Sequence, residues 1–445
     1  MVLNAIENFT KEFLEKIQNQ RVLLISHFDT DGVTSAAIMS KTLERLSIQF
    51  STKIVKQFTI NEIAEIPKDR IIILLDLGSN HLLELSTLSN DIFIIDHHEL
   101  KNKSIPQNIK IINPHLLENY ENLCGAELTY LVSKKISEEN IHLAYLAVVG
   151  MVGDTMEKEI TKTRNSIIND SKVKIKKGLL IYPSTRPLDK TLEYSSRPFI
   201  PGVTGDPKGT YEILREAGIE KIGRTFKSLI DLSAEEMKNL VTAVMLRLSG
   251  KEKKSEYIGD LYLVRFFNKI EDARELSAMI NACSRMGHST TALMFCLGST
   301  SARKQAERIY VKYRQHIISG LKHIDKNHKI KGREYVIINA RDKIKDTLIG
   351  TMASILSFSS VYEEGTVIVT MAYNEDKIKV STRMAGRNSK TGRNLKELMD
   401  FITQTIGGES GGHKRAAGCT IDKHHEDKFI DLIKNKLEIE LVKVD

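Results

Sequence analysis

The chain has 445 residues, 41% hydrophobic and 27% charged, enough apolar material for two or three packed domains and too much for a disordered polypeptide. No uninterrupted apolar run approaches the roughly 18 residues that a bilayer-spanning helix needs. A formal charge of +8 and a pI near 9.0 permit an anionic partner without identifying one, while the absence of Trp and an aromatic share of 6% argue against base stacking as the main device.

Met1 to Asn19 reads as an amphipathic, polar segment without a signal-peptide core. Cys124, Cys283, Cys296 and Cys419 are scattered, with no Cys-x-x-Cys pair, which fits reduced thiols and predicts a cytoplasmic protein. Up to about residue 165, short apolar runs alternate with helical stretches, the pattern of βαβ units around a mostly parallel sheet. The runs are Val22–Ile25, Ile71–Leu75 and Ile92–Ile95; helices are expected over Val33–Leu46, Gly125–Ile136 and His142–Val149. Near Thr161 the composition shifts. Lysines cluster from Lys172 to Lys177, and Pro183, Pro187, Pro198, Pro201 and Pro207 follow, so a long ordered loop or linker is expected there.

Helices are expected to dominate next. Ser233-Ala234-Glu235-Glu236 reads as a capping box opening a helix towards Leu248, Asp272–Arg285 is another helix, and Ala302–His323 is a long basic one. Beyond Lys331, strands at Tyr335–Ile338, Thr366–Thr370 and Lys377–Ser381 indicate a smaller α/β domain. The predicted class is α/β, with an N-terminal mostly parallel sheet flanked by helices (1–165), a linker and helical middle region (166–330), a C-terminal α/β domain (331–445), and a basic cleft between the two α/β domains.

Asp96-His97-His98 follows Ile92–Ile95 directly. Two adjacent imidazoles and a carboxylate at the mouth of a buried strand are costly without a partner, and a divalent cation is the cheapest one. Asp29 and Asp31 follow the first apolar run, Asp76 the second, and Asp154 the stretch Ala147–Gly153. Ligands of open α/β sheets bind beyond the carboxyl ends of the strands, so these residues are expected to converge. If the chain stays extended after Ile25, His27, Asp29 and Asp31 share one face. The mixed oxygen and nitrogen donors suit Mn²⁺ or Mg²⁺, with Zn²⁺ or Co²⁺ as alternatives, and are numerous enough for two ions roughly 3.5–4 Å apart. Each Asp singly would pass for an ordinary cap or loop residue; the ordered set points to metal. Phosphoryl hydrolysis is the expected chemistry, and no Walker-type loop is present. The glycine-rich run Gly407–Gly418, with Gly411, Gly412, His413, Lys414 and Arg415, is expected to bring backbone N–H groups close to an anion, and Arg383 at a strand end to grip a phosphate.

Taken together these motifs resemble the DHH phosphoesterase family: Asp29-Thr30-Asp31-Gly32, Asp76, Asp96-His97-His98 and Gly150-Met151-Val152-Gly153-Asp154 in order, then Gly411-Gly412-His413 through Gly418 as the signature of the associated C-terminal DHHA1 domain. Arg186-Pro187, Phe199-Ile200-Pro201-Gly202 and Asn281-Ala282-Cys283 look most like archaeal RecJ-like single-strand exonucleases, a subgroup that includes proteins associating with the GINS complex of the replicative helicase or with a repair helicase. The resemblance implies that Asp29, Asp31, Asp76, His97 and Asp154 bind metal, with His27 ranked below them. It implies that Asp76 bridges two ions, that Asp96 orients the histidines, and that His98 meets the scissile phosphate. It implies further that Asp31, Asp96, His97 and His98 form the catalytic set, and that His98, Arg383, Gly411, Gly412 and His413 hold substrate. Ser410 stands where a third consecutive glycine is common, which is expected to narrow backbone approach to phosphate.

The expected activity is that of a metal-dependent exonuclease on single-stranded DNA or RNA. The alternatives are a phosphodiesterase for short oligonucleotides or cyclic dinucleotides, and a replisome scaffold that has lost its metals.

Overall fold

The computed structural model describes residues 2–100, 103–195, 198, 200–248, 257–327, 329–359, 361–386 and 392–442; Phe199 of the subgroup motif lies outside them. Along the chain run α1 (Val2–Ile17), β1 (Val22–His27), α2 (Thr30–Arg45), β2 (Phe50–Val55), α3 (Ile60–Ala64), β3 (Ile71–Leu75), α4 (Leu82–Ser86), β4 (Ile92–Ile95), β5 (Ile109–Ile112), α5 (Gly125–Ile136), α6 (Ala144–Gly153), α7 (Lys162–Ser171) and β6 (Lys174–Leu179). The middle of the chain holds α8 (Leu188–Glu193), α9 (Pro207–Glu216), β7 (Lys221–Ile222), β8 (Thr225–Phe226), α10 (Ala234–Arg247), β9 (Ile258–Phe266), β10 (Lys269–Asp272), α11 (Ala273–Arg285), α12 (Ser289–Cys296) and α13 (Thr300–Lys326). Last come β11 (Ile330–Lys331), β12 (Tyr335–Asn339), α14 (Asp346–Ser357), β13 (Val367–Asn374), β14 (Lys377–Met384), α15 (Leu395–Ile406), β15 (Glu409–His413), β16 (Ala416–Asp422) and α16 (Glu426–Val442). This is the expected α/β class, with a parallel sheet flanked by helices, a largely helical middle and a C-terminal mixed sheet. Among the described residues no helix is long and apolar enough to cross a membrane.

Two compact units result. The first joins Met1–Gly178, Tyr182–Thr185 and Asp260–Val311; the second joins Leu179–Ile181, Arg186–Gly259 and Lys312–Asp445.

In the first unit β2-β1-β3-β4-β5 form an all-parallel sheet. β3 and β4 are unbroken Ile, Leu and Phe because both faces are covered. Helix α1 lays Phe9 and Phe13 edge-on against Phe93 of β4, with ring centroids 5.5 and 5.2 Å away. The strand order reverses between β1 and β3, the place where an open parallel sheet leaves a crevice at its carboxyl edge. Ser26 pairs with Leu75, and Leu75 with Ile95, so the residues that follow β1, β3 and β4 emerge side by side at that crevice.

Four expectations need correction. The chain does not stay extended through Asp31. Asp29 is the N-cap of α2, its carboxylate accepting the Gly32 N–H at 3.0 Å, so the helix opens at Thr30 rather than Val33 and Asp31 lies in its first turn. The helix expected to end at Val149 runs on to Gly153, and Asp154 caps its end. The proline-rich stretch contains α8 and α9, because Pro187 stands at the N-cap of one and Pro207 at the first turn of the other, where a missing N–H costs nothing. The middle region also carries a sheet, β10-β9-β6. Its β9–β10 hairpin turns through Phe267 and Asn268, both at positive φ.

The second unit is built on the sheet β11-β12-β13-β14-β16-β15, in which β12 and β13 are parallel and the other pairs antiparallel. Helices α15 and α16 bury Leu398, Met399, Ile402, Phe429 and Ile433 on one face. The glycine-rich run is not a loop. Residues 409–413 form edge strand β15, paired with β16, because ladder bonds need only the backbone.

Candidate metal centre

The crevice gathers the predicted donors. His27 ends β1, Asp29 and Asp31 start α2, Asp76 directly follows β3, Asp96-His97-His98 follows β4, and Asp154 ends α6. Three groups have ligand atoms within 4.8 Å of one another: Asp76, His97 and His98; His27, Asp29 and Asp76; and Asp31, His97 and Asp154. Asp76 and His97 each belong to two. His97 Nε2 lies 3.3 Å from Asp76 Oδ1, 3.3 Å from Asp154 Oδ2 and 3.7 Å from Asp31 Oδ2. His27 Nδ1 lies 3.0 Å from Asp29 Oδ2 and 3.4 Å from Asp76 Oδ2, so the structure brings this histidine fully into the cluster.

Asp76 is the anomaly. Its φ is +57°, uncommon for any residue but glycine, and both carboxylate oxygens are buried with no hydrogen bond among the described residues. His27 Nδ1 is buried in the same state. Buried polar atoms are ordinarily paired, and Asp76 Oδ2 and His27 Nδ1 lie 3.4 Å apart, a spacing that two ligands of one cation can share.

Their charges tell the same story. Burial and the Asp76 charge push the Asp31 carboxyl well above the usual carboxylate range, and burial with the Asp31 and Asp29 charges lifts Asp154 to about 7. Burial and Asp29 raise Asp76 as well. Burial alone would lower His27, but Asp29 and Asp76 outweigh it and hold the imidazole at about 11; Asp76, Asp31 and Asp154 likewise hold His97 at about 10. Protons here stand in for positive charge that a divalent cation would supply, so the donor set fits one. Asp29 differs: contact with His27 outweighs its burial and keeps it below the usual range.

Asp96 turns away from the cluster. Its oxygens accept the Ser79, His97 and His98 amides at 3.0, 2.8 and 3.2 Å, and Oδ1 lies 2.7 Å from His98 Nδ1. That bond lifts His98 to about 9, while His98 and Ser79 overcome burial and hold Asp96 well below the usual carboxylate range. His98 is half exposed, with Nδ1 committed to Asp96. Asn113 Nδ2 ties the arrangement together, reaching Ser79 Oγ at 2.8 Å and the His98 carbonyl at 2.9 Å.

Sequence reasoning missed the supports. The amides of Gly125 and Ala126, first in α5, donate to Asp31 Oδ2 and Oδ1 at 2.7 and 2.8 Å. A Cβ on Gly125 would stand 2.9 Å from Asp31 Oδ2, so only glycine lets the helix end approach this closely. Cys124 and Glu127 form the capping box of that helix, with Cys in the place that Ser or Thr usually takes. Helix α11 clamps Thr30, whose N–H meets Asn281 Oδ1 at 3.1 Å and whose hydroxyl meets the Ser277 carbonyl at 3.0 Å.

In the second unit, Arg383 of β14 pairs with Ala416 of β16, which pairs with His413 of β15, so Arg383 and His413 share a face. Arg383 is anchored by Nε to Ser354 Oγ at 3.0 Å and by Nη1 to the Thr382 carbonyl at 2.8 Å. Gly411 and Gly418 pair on that face, and Gly412, at φ +130°, lies where a Cβ would collide with the Ala416 carbonyl. Ser410 does not narrow this face. Its hydroxyl turns to α15, bonding Asp400 Oδ1 at 2.7 Å and Thr403 Oγ1 at 3.1 Å.

Three family models match: the DHH family N-terminal domain over residues 21–151, the DHH-CID domain over 181–261 and the DHHA1 domain over 332–438. The chain carries the DHH, DHH-CID and DHHA1 domains in that order. An uncharacterized protein of Methanocaldococcus jannaschii is 26% identical to this DHH protein over 443 residues, 96% of each chain. Among solved structures, exonuclease RecJ bound to manganese superposes with a TM-score of 0.62 at 15% identity, covering 97% of this chain and 94% of that one. RecJ of Thermus thermophilus in complex with Mn²⁺ gives 0.61 at 16%, over 97% of this chain, which spans only 54% of that RecJ. Entamoeba histolytica CDC45 gives 0.67 at 12%, over 96% and 98%. The fold is therefore RecJ-like.

Proposed function

We propose that this DHH-family protein is a metal-dependent phosphodiesterase, specifically an exonuclease on single-stranded DNA or RNA. The observation carrying this reading is Asp76: a strained, buried carboxylate with unbonded oxygens, shared by two donor groups at the crevice of a RecJ-like fold. Asp29, Asp31, Asp76, His97, Asp154 and His27 are the residues that would hold two divalent cations, Mn²⁺ by preference or Mg²⁺. Bound there, such ions supply positive charge against phosphate oxygens and acidify the attacking water.

The protein's own groups do the rest. Gly125 and Ala126 aim Asp31, and Asp96 fixes the ring of His98 so that its remaining nitrogen serves the scissile phosphate. His98, protonated at neutral pH through Asp96, is suited to donating to a phosphate oxygen. Arg383 and His413, beside Gly411 and Gly412, hold phosphates on the face of the second sheet.

The test is digestion of end-labelled single-stranded DNA and RNA with Mn²⁺ by the wild type, Asp96→Ala and Asp31→Ala. Stepwise products that both variants fail to make support the reading; equal turnover by the variants overturns it. Activity confined to dinucleotides or cyclic dinucleotides would favour the short-substrate alternative.

The likeness of the fold to CDC45 favours a second reading, a scaffold without catalysis. Clustered buried carboxylates without ions are a burden to a scaffold, so metal content of the purified protein separates the two. For either reading we propose action in the cytoplasm alongside a replication or repair helicase complex, GINS among the candidates.

A further inference from the structure

Arg164 of α7 and Glu127 of α5 form an ion pair whose side chains are both 0% exposed. Every guanidinium N–H finds an oxygen. Nε and Nη2 meet the two Glu127 oxygens at 2.7 Å each, Nη2 also meets the Asn122 carbonyl at 2.5 Å, and Nη1 meets the carbonyls of Met156, at 3.1 Å, and Glu159.

A buried ion pair is a poor source of stability, so its placement calls for another explanation. On one side, Glu127 Oε2 accepts the Cys124 N–H at 2.9 Å, fixing the start of α5, and the next two amides hold Asp31. On the other, Met156 and Glu159 bound the turn that follows Asp154. Asp31 and Asp154 are two members of one donor group, with His97 as the third. Among the described residues no hydrogen bond joins Arg164 or Glu127 to His27, Asp29 or Asp76; Asp29 is held by the Gly32 amide within α2.

Resting on the metal reading above, we propose that Arg164 is a positioning residue for one cation alone: it sets the affinity of the Asp31–His97–Asp154 position and leaves the His27–Asp29–Asp76 position untouched. Its planar fork joins two ligand-bearing segments through five hydrogen bonds, a geometry that an ammonium group cannot reproduce. Residues that orient metal ligands typically govern affinity by about 10–100-fold.

The experiment is Mn²⁺ titration of the purified chain, followed by electron paramagnetic resonance of the free ion, for wild type and Arg164→Lys. The wild type should bind two equivalents. In the variant one equivalent should weaken by about 10–100-fold while the other stays within about twofold. Unchanged binding at both positions, or equal weakening of both as general loosening would give, overturns the inference. Wild type that binds no Mn²⁺ rejects the parent reading instead, and this one with it. Should Arg164→Lys fail to fold, Glu127→Gln, which keeps its shape and an acceptor for the Cys124 amide, faces the same criterion.

Discussion

Gly150 of α6 lies so close to Asp31 that a Cβ on the glycine would stand 3.0 Å from Asp31 Oδ1, and would collide with the Ala126 Cβ. The three helices around Asp31 thus meet at a point with no room for a methyl group. Gly150→Ala should destabilise the fold by about 1–3 kcal/mol, as overpacking of a close-packed core does. It should also weaken Mn²⁺ binding by displacing the Ala126 amide from Asp31. Urea unfolding together with metal titration checks both.

Asp76→Asn separates function from stability. Asn tolerates positive φ about as well as Asp, and folding favours the neutral form of this carboxyl, raised by burial and the Asp29 charge. Without metal, the variant should be at least as stable as the wild type at pH 7. It should nonetheless lose Mn²⁺ binding by more than the roughly 10–100-fold typical of an outer partner. Thermal unfolding with and without Mn²⁺ reads both effects.

The pH dependence follows from the raised groups. Asp154, at about 7 in the fold and near 3.8 unfolded, binds its proton more tightly when folded. Its contribution is therefore complete below pH 4 and is lost as pH rises towards 7. His97 and His27, at about 10 and 11, contribute fully below 6.5 and lose that contribution towards those higher values. Both effects weaken the metal-free protein as pH rises, while cation affinity grows as protons leave. The gain in Tm on adding saturating Mn²⁺ should be larger at pH 7.5 than at pH 5.5.

On the second sheet, Ser410→Gly and His413→Ala should behave oppositely. Ser410 faces α15, so its loss should cost about 1 kcal/mol of stability, the worth of an ordinary hydrogen bond, and leave KM unchanged. His413→Ala should raise KM for single strands several-fold with little change in unfolding midpoint.

The parallel core was legible in the sequence because β3 and β4, buried on both faces, read as unbroken apolar runs ending in Asp76 and Asp96. Edge strand β2 was not: Phe50–Val55 mixes exposed and buried positions around Lys53. The helical start at Thr30 was hidden because Asp29 reads equally well as a strand-end ligand and as an N-cap, and only the Gly32 amide decides between them. Strand β15 has no signature in the sequence because glycine is poor in strands by composition, yet its pairing with β16 uses backbone alone. Of the candidate centre, the donor side chains that converge and their order were visible. The amides of Gly125 and Ala126 were not, since a backbone N–H carries no sequence signature. The turn at Asp76 was equally invisible, because an Asp at positive φ reads in sequence like any other Asp.

Crystals grown with Mn²⁺ and measured at the manganese edge would be most direct. Two anomalous peaks should appear, one on each side of Asp76, the first in contact with His27 and Asp29 and the second with His97. A map with no peak in contact with Asp76, from protein that is folded and saturated with Mn²⁺, would contradict the assignment of this crevice as a metal centre.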